Sequence, residues 1–210
     1  MLVAVVLAAA GCQGGESKGE QSAEPSTAKS SCDTVLSAQG KEAVRRVADI
    51  PASVKLSTRT DPQDPADELI AQNDAATADD YNEVDFCNIY SGSSLVTPSV
   101  RTRFSLVREV PAPSKDSIVQ EYRMGKRAAA GEKVALLYFE CTSKKFYMGA
   151  GATVLVHGYS RIYNEVTVSE DVARQDNLRI IYESSRALSK LLGCKSNAEL
   201  PAAFTMPPKA

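Results

Sequence analysis

The stretch SEDVARQDNLRIIYESSRALSKLLGC, residues 169–194, has the strongest periodicity in the chain. Its apolar and small side chains recur at helical spacing and form one stripe: Leu178, Ile181, Ser185, Leu188 and Leu192. Ser169 is a candidate N-cap, Glu170 and Asp171 lie in the first turn, Lys190 lies in the last, and Gly193 stands where a helix-terminating glycine belongs. The pattern predicts a long amphipathic helix, which must bury its stripe against another element.

The middle of the chain is rich in strand-forming segments. In VRTRFSLV, residues 100–107, the side chains alternate with a period of two, as in a half-buried strand. The candidate strands are 86–90, 100–107, 117–124, 134–141 and 152–160. No helix-length insertion separates them, which favours antiparallel neighbours, and the apolar VALLYF is expected in a central strand.

Weaker signals flank this sheet. We expect a short helix over 34–48 with Ser37 as its N-cap, a short strand within 53–59 and an exposed helix over 61–74. The C-terminal tail is expected to be extended and partly loose. These elements predict an α+β fold, with an antiparallel sheet of about five strands, a long C-terminal helix packed on one face and a short N-terminal helix.

The N-terminus has the composition of an export signal. The first ten residues, MLVAVVLAAA, carry no charge and are too few for a transmembrane helix, which needs about 20 residues. Ala10-Gly11-Cys12 is similar to a bacterial lipobox, although Ala9 stands where leucine is usual, whereas Ala8-Ala9-Ala10 also fits ordinary signal peptidase. Residues 13–31 are small and polar and predict a disordered tether. We therefore expect a signal peptide at 1–11, a lipidated Cys12 and tether at 12–31, and one domain at 32–210.

The number of cysteines favours the lipobox over simple secretion. There are five cysteines, and an exported protein with an odd number leaves one thiol unpaired unless it is modified. Lipidation of Cys12 leaves four that can pair in three ways. We expect Cys32–Cys87 and Cys141–Cys194, because each pair joins a helix end to a strand. The absence of any CxxC spacing argues against a zinc site.

Composition and motifs point away from several functions. The net charge of −2 offers no basic excess for nucleic acid, and the chain has a single histidine. His157 could act as a general base, but no nucleophile motif lies near it in sequence. The carboxylates of 61–68 and 79–85 lack the calcium-loop pattern, and the Gly-x-Gly of 148–156 lacks the dinucleotide pattern. The tyrosines beside the strands suit either a binding surface or ordinary strand packing.

Five segments resemble actinobacterial (Gram-positive) cell-surface lipoproteins with two structural disulfides. They are SCDTVLSAQGKEAVRRV, FCNIYSG, YRMGKRAA, VALLYFECTS and ALSKLLGCKSNAELP, within residues 32–201. The resemblance implies that a Cys-Asp near a first helix and a later helix ending in Gly-Cys frame an antiparallel sheet. It carries no catalytic residue to this chain.

The sequence thus predicts a lipid-anchored protein at the extracellular face of the cell membrane, with a non-enzymatic binding or accessory domain for an envelope ligand or protein. We assign no catalytic, cofactor-binding or metal-binding residue, no cofactor and no nucleic-acid partner. A small envelope hydrolase using carboxylates and a carrier of a lipid or other apolar ligand remain alternatives.

Overall fold

The protein has an α+β fold with three α-helices and a seven-stranded antiparallel sheet in the part of the chain that the structure describes. The computed structural model describes residues 34–58, 60–75, 82–92, 96–113 and 118–210. The helices are α1 (Ala38–Val47), α2 (Gln63–Ala75) and α3 (Glu170–Leu191). The strands are β1 (Leu56–Thr58), β2 (Val84–Ser91), β3 (Val100–Val107), β4 (Gln120–Tyr122), β5 (Arg127–Ala130), β6 (Val134–Ser143) and β7 (Ala152–Ile162).

The sheet order is β1-β2-β3-β7-β6-β5-β4, and every neighbouring pair is antiparallel. All five predicted strands are present, but the expectation of about five strands is too low. The weakly alternating segment within 53–59 forms β1, and β5 was not predicted. Strand β6, which contains VALLYF, is interior as expected, whereas β7 occupies the centre of the sheet.

The predicted C-terminal helix is confirmed, and its stripe is buried. Leu178, Ile181 and Leu188 share a core cluster with Phe104 and Phe139 of the sheet. Helix α3 crosses β5, β6 and β7 on one face. Ser169 is the N-cap residue, as predicted, although its side chain makes no capping hydrogen bond.

Helix α1 joins α3 on the same face of the sheet. As predicted, the Ser37 hydroxyl accepts a hydrogen bond from the Gly40 amide and caps α1. Glu183 of α3 reinforces the cap, because its carboxylate accepts from both the Ser37 amide at 2.8 Å and the Ser37 hydroxyl at 2.9 Å. Further along, Arg46 forms an ion pair with Asp176 at 2.6 Å. Arg46 therefore joins α1 to α3.

Helix α2 covers the β2–β3 end of the same face. Asp61 accepts a hydrogen bond from the Gln63 amide at 3.0 Å. This residue of the acidic segment 61–68 therefore stabilises the start of α2. Ala66 and Leu69 are buried in the cluster that contains Phe86 and Phe104. All three described helices therefore lie on one face of the sheet.

The end of α3 is fixed to the end of β6. The predicted disulfide Cys141–Cys194 is present, with 4.9 Å between the two Cα atoms. The Ser143 hydroxyl donates to the carbonyl of Leu192 at 2.6 Å, satisfying a helix end that would otherwise be unpaired. Gly193 adopts a positive φ of 69°, as expected of a glycine that terminates a helix. Helix and strand thus share a covalent and a hydrogen-bonded connection.

Cys87 also takes part in a disulfide. Cys32 lies outside the described residues, as do the predicted signal peptide at 1–11, Cys12 and the predicted tether at 12–31. The Cys32–Cys87 pairing, the lipidation of Cys12 and the domain boundaries therefore stay predictions.

The C-terminal tail is extended but not loose, which corrects the expectation. Tyr182 of α3 donates to the carbonyl of Pro201 at 2.7 Å, and its ring lies 5.4 Å from that of Phe204. The tail then reaches the edge strand β4, where Tyr122 pairs with Lys209 in an antiparallel bridge. An exposed strand edge is thereby partly covered.

Candidate functional site

The second face of the sheet carries none of the three described helices. Strand alternation places one set of side chains toward the helices and the other set on this helix-free face, which we define by its central strands. Its residues are Arg101, Arg103 and Ser105 of β3, His157, Tyr159 and Arg161 of β7, Leu136 and Tyr138 of β6, and Arg127 of β5. The strand order places Tyr138 beside His157 and Tyr159, a proximity that the linear sequence does not show.

One cross-strand row on the helix-free face contains an aromatic stack. Arg127 is registered with Tyr138, Tyr138 with His157, and His157 with Ser105. The Tyr138 and His157 rings are nearly parallel, at 16°, with 4.5 Å between their centroids. The Arg127 guanidinium lies 6.0 Å from the Tyr138 centroid. Arginine, tyrosine and histidine thus form a layered row of the kind that cation–π and ring stacking stabilise.

Arg127 is held at one end of the row by its own partners. Its Nη2 lies 2.6 Å from the Glu121 carboxylate, and its Nη1 donates to the carbonyl of Pro111 at 2.8 Å. The hydrogen bond to Glu121 raises the pKa of Arg127. Pro111 belongs to the connection from β3 to β4, so this connection contacts the helix-free face. Tyr138 is accordingly only 6% exposed.

The protonation of His157 follows from its position in the stack. Burial lowers the pKa of His157 below its usual 6.5, and Arg127 lowers it further, whereas Glu83 raises it. The imidazole is therefore neutral at pH 7. A neutral ring can stack on tyrosine without the cost of a buried charge.

The register places Ser105 directly opposite His157, a proximity that the linear sequence conceals. Among the described residues, however, no hydrogen bond joins the Ser105 hydroxyl to His157, and no carboxylate hydrogen-bonds to His157. A serine nucleophile needs a hydrogen-bonded base, which a third group in turn orients. The pair has the residue types of a hydrolytic site without its hydrogen bonding.

A second row places two arginines side by side. Arg101 and Arg161 are registered with each other across β3 and β7, and each guanidinium lies 5.5 Å from the centroid of Tyr163. Arg101 also donates to Asn88 at 3.1 Å and lies 3.9 Å from Asp85. Arg161 is exposed and has no carboxylate within 4.0 Å in the described residues. This end of the helix-free face is positively charged and has an aromatic centre.

The remaining sequence candidates have structural roles. Within 79–85, Glu83 and Asp85 pair with Arg103 at 3.1 and 2.9 Å, while 79–81 lie outside the described residues. The Gly-x-Gly segment forms the β6–β7 turn, in which Gly149 and Gly151 have positive φ. In the described ranges no group of three or more histidine, cysteine or acidic side chains is arranged to hold a metal ion.

Comparisons with protein-family models, with curated proteins and with solved structures found no match to this chain. The described part of the chain contains no helix with the length and hydrophobicity needed to cross a bilayer. The exposed Arg161 and Tyr163, with Arg101 beside them, are suited to contact with a partner.

Proposed function

We propose that this protein is a membrane-anchored extracytoplasmic lipoprotein whose α+β domain binds a component of the cell envelope without catalysing a reaction. The observation that carries the binding role is the placement of all three described helices on one face. On the other face, the exposed Arg161 and Tyr163 and the partly exposed Arg101 form an arginine- and tyrosine-rich surface. Tyrosine and arginine are enriched where proteins contact partners, because they combine apolar area with hydrogen-bonding groups.

The proposed anchor depends on the N-terminal sequence and on sulfur chemistry. The lipobox-like Ala10-Gly11-Cys12 and the polar residues that follow are the pattern of an acylated, tethered protein. The Cys141–Cys194 disulfide supports an oxidising compartment, which an extracytoplasmic location provides. Acyl chains on Cys12 would hold the domain at the outer surface of the membrane, since each buried methylene contributes about 0.8 kcal/mol.

Site-specific photocrosslinking tests the binding surface. We would replace Tyr163, at the centre of the arginine pair, by a photoreactive phenylalanine analogue in cells that make the protein. Tyr147 is the matched control, because it is an exposed tyrosine in the turn between β6 and β7. We expect an envelope component to crosslink at position 163 and not at 147, and Arg161→Glu to remove the crosslink. Equal crosslinking at both positions, or none at 163, would contradict the proposed surface.

The hydrolase alternative is now best tested at Ser105 rather than at carboxylates, since the register sets this serine opposite His157. We would treat the protein with a fluorophosphonate, which labels activated serines, and use Ser105→Ala as the control. The non-enzymatic proposal predicts no labelling, because no hydrogen bond from the hydroxyl to His157 is found in the described structure. Labelling that Ser105→Ala abolishes would favour the hydrolase.

The carrier alternative requires space between helix and sheet. In that layer Phe104, Leu137, Phe139 and Ile181 are at most 1% exposed and belong to one core cluster. A methyl group on Gly158 would lie 2.6 Å from the Phe104 ring. This close packing favours the binding surface over an internal apolar ligand.

A further inference from the structure

A groove on the outer side of α3 is independent of the helix-free face. We call it the α3 groove. It has a volume of about 330 Å³ and is lined mainly by Arg179, Glu183, Arg186 and Lys190 of α3, Ser37 at the start of α1 and Phe204 of the tail. This volume is at the lower end of the range for small-molecule sites, which is about 300–1,000 Å³.

Glu183, the acidic side chain that lines the α3 groove, already has hydrogen-bonding and ionic partners. Both oxygens of Glu183 accept hydrogen bonds from Ser37, and Arg179 lies 3.7 Å from the same carboxylate. Arg179 also donates to Gln39 at 3.0 Å and packs over Phe204, 4.4 Å from its centroid. Glu183 and Arg179 therefore balance each other.

The other two cations in the groove are not balanced. Arg186 donates to the carbonyls of Pro201 and Ala202, which fix the side chain but leave its charge uncompensated. Lys190 is exposed, and neither cation has a carboxylate within 4.0 Å in the described ranges. The two residues are four apart on α3, and like charges at that spacing destabilise a helix. An anion between them would relieve this repulsion.

We propose that the α3 groove binds a phosphate ester of a small polyol, free or as a lipid headgroup. Two uncompensated cations attract the negative charge of a phosphate ester, whether it is a monoester or a diester. Arginine and lysine are the usual phosphate ligands, arginine through paired hydrogen bonds and lysine as a point charge. Ser37 and Gln39 supply polar contacts for hydroxyls, and Phe204 supplies an apolar wall. The site does not depend on the anchor or on the helix-free face.

Titration of the full chain with sn-glycerol 3-phosphate, followed by calorimetry and amide NMR shifts, tests the site. We expect shifts around Ser37, Arg186 and Phe204, and a Kd that Lys190→Gln raises about threefold or more. Lys133→Gln makes the same charge change in the β5–β6 turn and should leave the Kd unchanged. Because Lys190 is exposed, its substitution is not expected to disturb folding. An unchanged Kd in Lys190→Gln would overturn the proposal.

Two further ligands complete the experiment. The first is dihexanoyl-phosphatidylglycerol, which carries the phosphate as a diester. If it binds more tightly than sn-glycerol 3-phosphate, the ligand is a lipid headgroup whose chains lie along Phe204. Equal or weaker binding would identify the free ester. Both results support the site. Binding of neutral glycerol as tightly as of its phosphate, or no binding of either phosphate compound, would overturn the proposal.

Discussion

Arg46 of α1 and Asp176 of α3 form a two-point ion pair that fixes one helix to the other. Arg46 Nε donates to Asp176 Oδ2 at 2.9 Å, and its Nη2 donates to Oδ1 at 2.6 Å. The side chain of Asp176 is only 2% exposed, whereas that of Arg46 is 44% exposed. The hydrogen bond to Asp176 is the largest contribution that raises the pKa of Arg46. Arg46 therefore supplies the hydrogen bonds and the positive charge that compensate the buried carboxylate of Asp176.

Arg46→Met leaves that carboxylate without its partner. We expect a loss of about 2 kcal/mol in the free energy of unfolding, because a buried charge that loses its hydrogen bonds keeps its desolvation cost. Denaturant titration measures it. Glu42→Gln is the control, since Glu42 lies 4.0 Å from Arg46 and is well exposed, and it should change stability by less than about 0.5 kcal/mol. Equal effects of the two substitutions would contradict this role.

Gly158→Ala tests the packing of α3 on the sheet. The added methyl group would lie 2.6 Å from the Phe104 ring and 3.1 Å from Ile181. We expect a destabilisation of about 1–3 kcal/mol, as for other overpacked cores, measured by denaturant titration. Phe104→Leu makes room for the methyl group, so the double variant should lose less than the sum of the single variants. If the two losses are strictly additive, the contact between the added methyl group and the Phe104 ring is not the cause of the destabilisation.

His157 makes stability depend on pH. Its folded-state pKa lies below the unfolded value, so the neutral form is favoured by folding. The contribution of the neutral imidazole to the free energy of unfolding is therefore complete above about pH 6.5. It is lost as the pH falls through 6.5 toward the folded-state pKa. Denaturation between about pH 7 and pH 5 should show a steeper loss for the wild type than for His157→Asn.

The pKa of His157 can also be read directly, because it is the only histidine in the chain. NMR titration of its ring protons should give a value below 6.5, and Glu83→Gln should lower the value further, since Glu83 raises it. A pKa at or above the ordinary value would contradict the buried stack.

The Cys141–Cys194 disulfide closes a sequence separation of 53 residues. In the chain-entropy model, removing it in Cys141→Ala/Cys194→Ala costs about 4 kcal/mol. Thermal and denaturant unfolding measure the loss. Cys32→Ser/Cys87→Ser tests the second predicted pair, whose loop has nearly the same length, and should cost a similar amount. A loss for one variant only would leave the other bond without a stabilising role.

Strong periodicity made much of the fold predictable. The alternation in 100–107 gave β3 with its observed bounds, and the stripe from Leu178 to Leu192 gave α3 and its buried face. Strand β5 was missed because RAAA is short and alanine has a low strand propensity. Its alanines are nevertheless buried in the sheet, where their packing outweighs that propensity.

The candidate site was less accessible to sequence reasoning. Ser105, Tyr138 and His157 meet only because β7 lies between β3 and β6, an order that periodicity does not encode. Likewise, nothing in the pair Arg45-Arg46 shows that only Arg46 faces a buried aspartate 130 residues away. The tail was expected to be extended and partly loose, and its contacts with α3 and β4 could not be predicted because they involve residues distant in sequence.

The measurement that tests the proposed lipoprotein most directly is the intact mass of the mature protein from the membrane fraction, with and without reductant. We predict a chain that begins at an acylated Cys12 and gains the hydrogens of two disulfides on reduction. A mature chain that begins at Gly11 with an unmodified Cys12 thiol would contradict the anchor. No mass gain on reduction would contradict the disulfides.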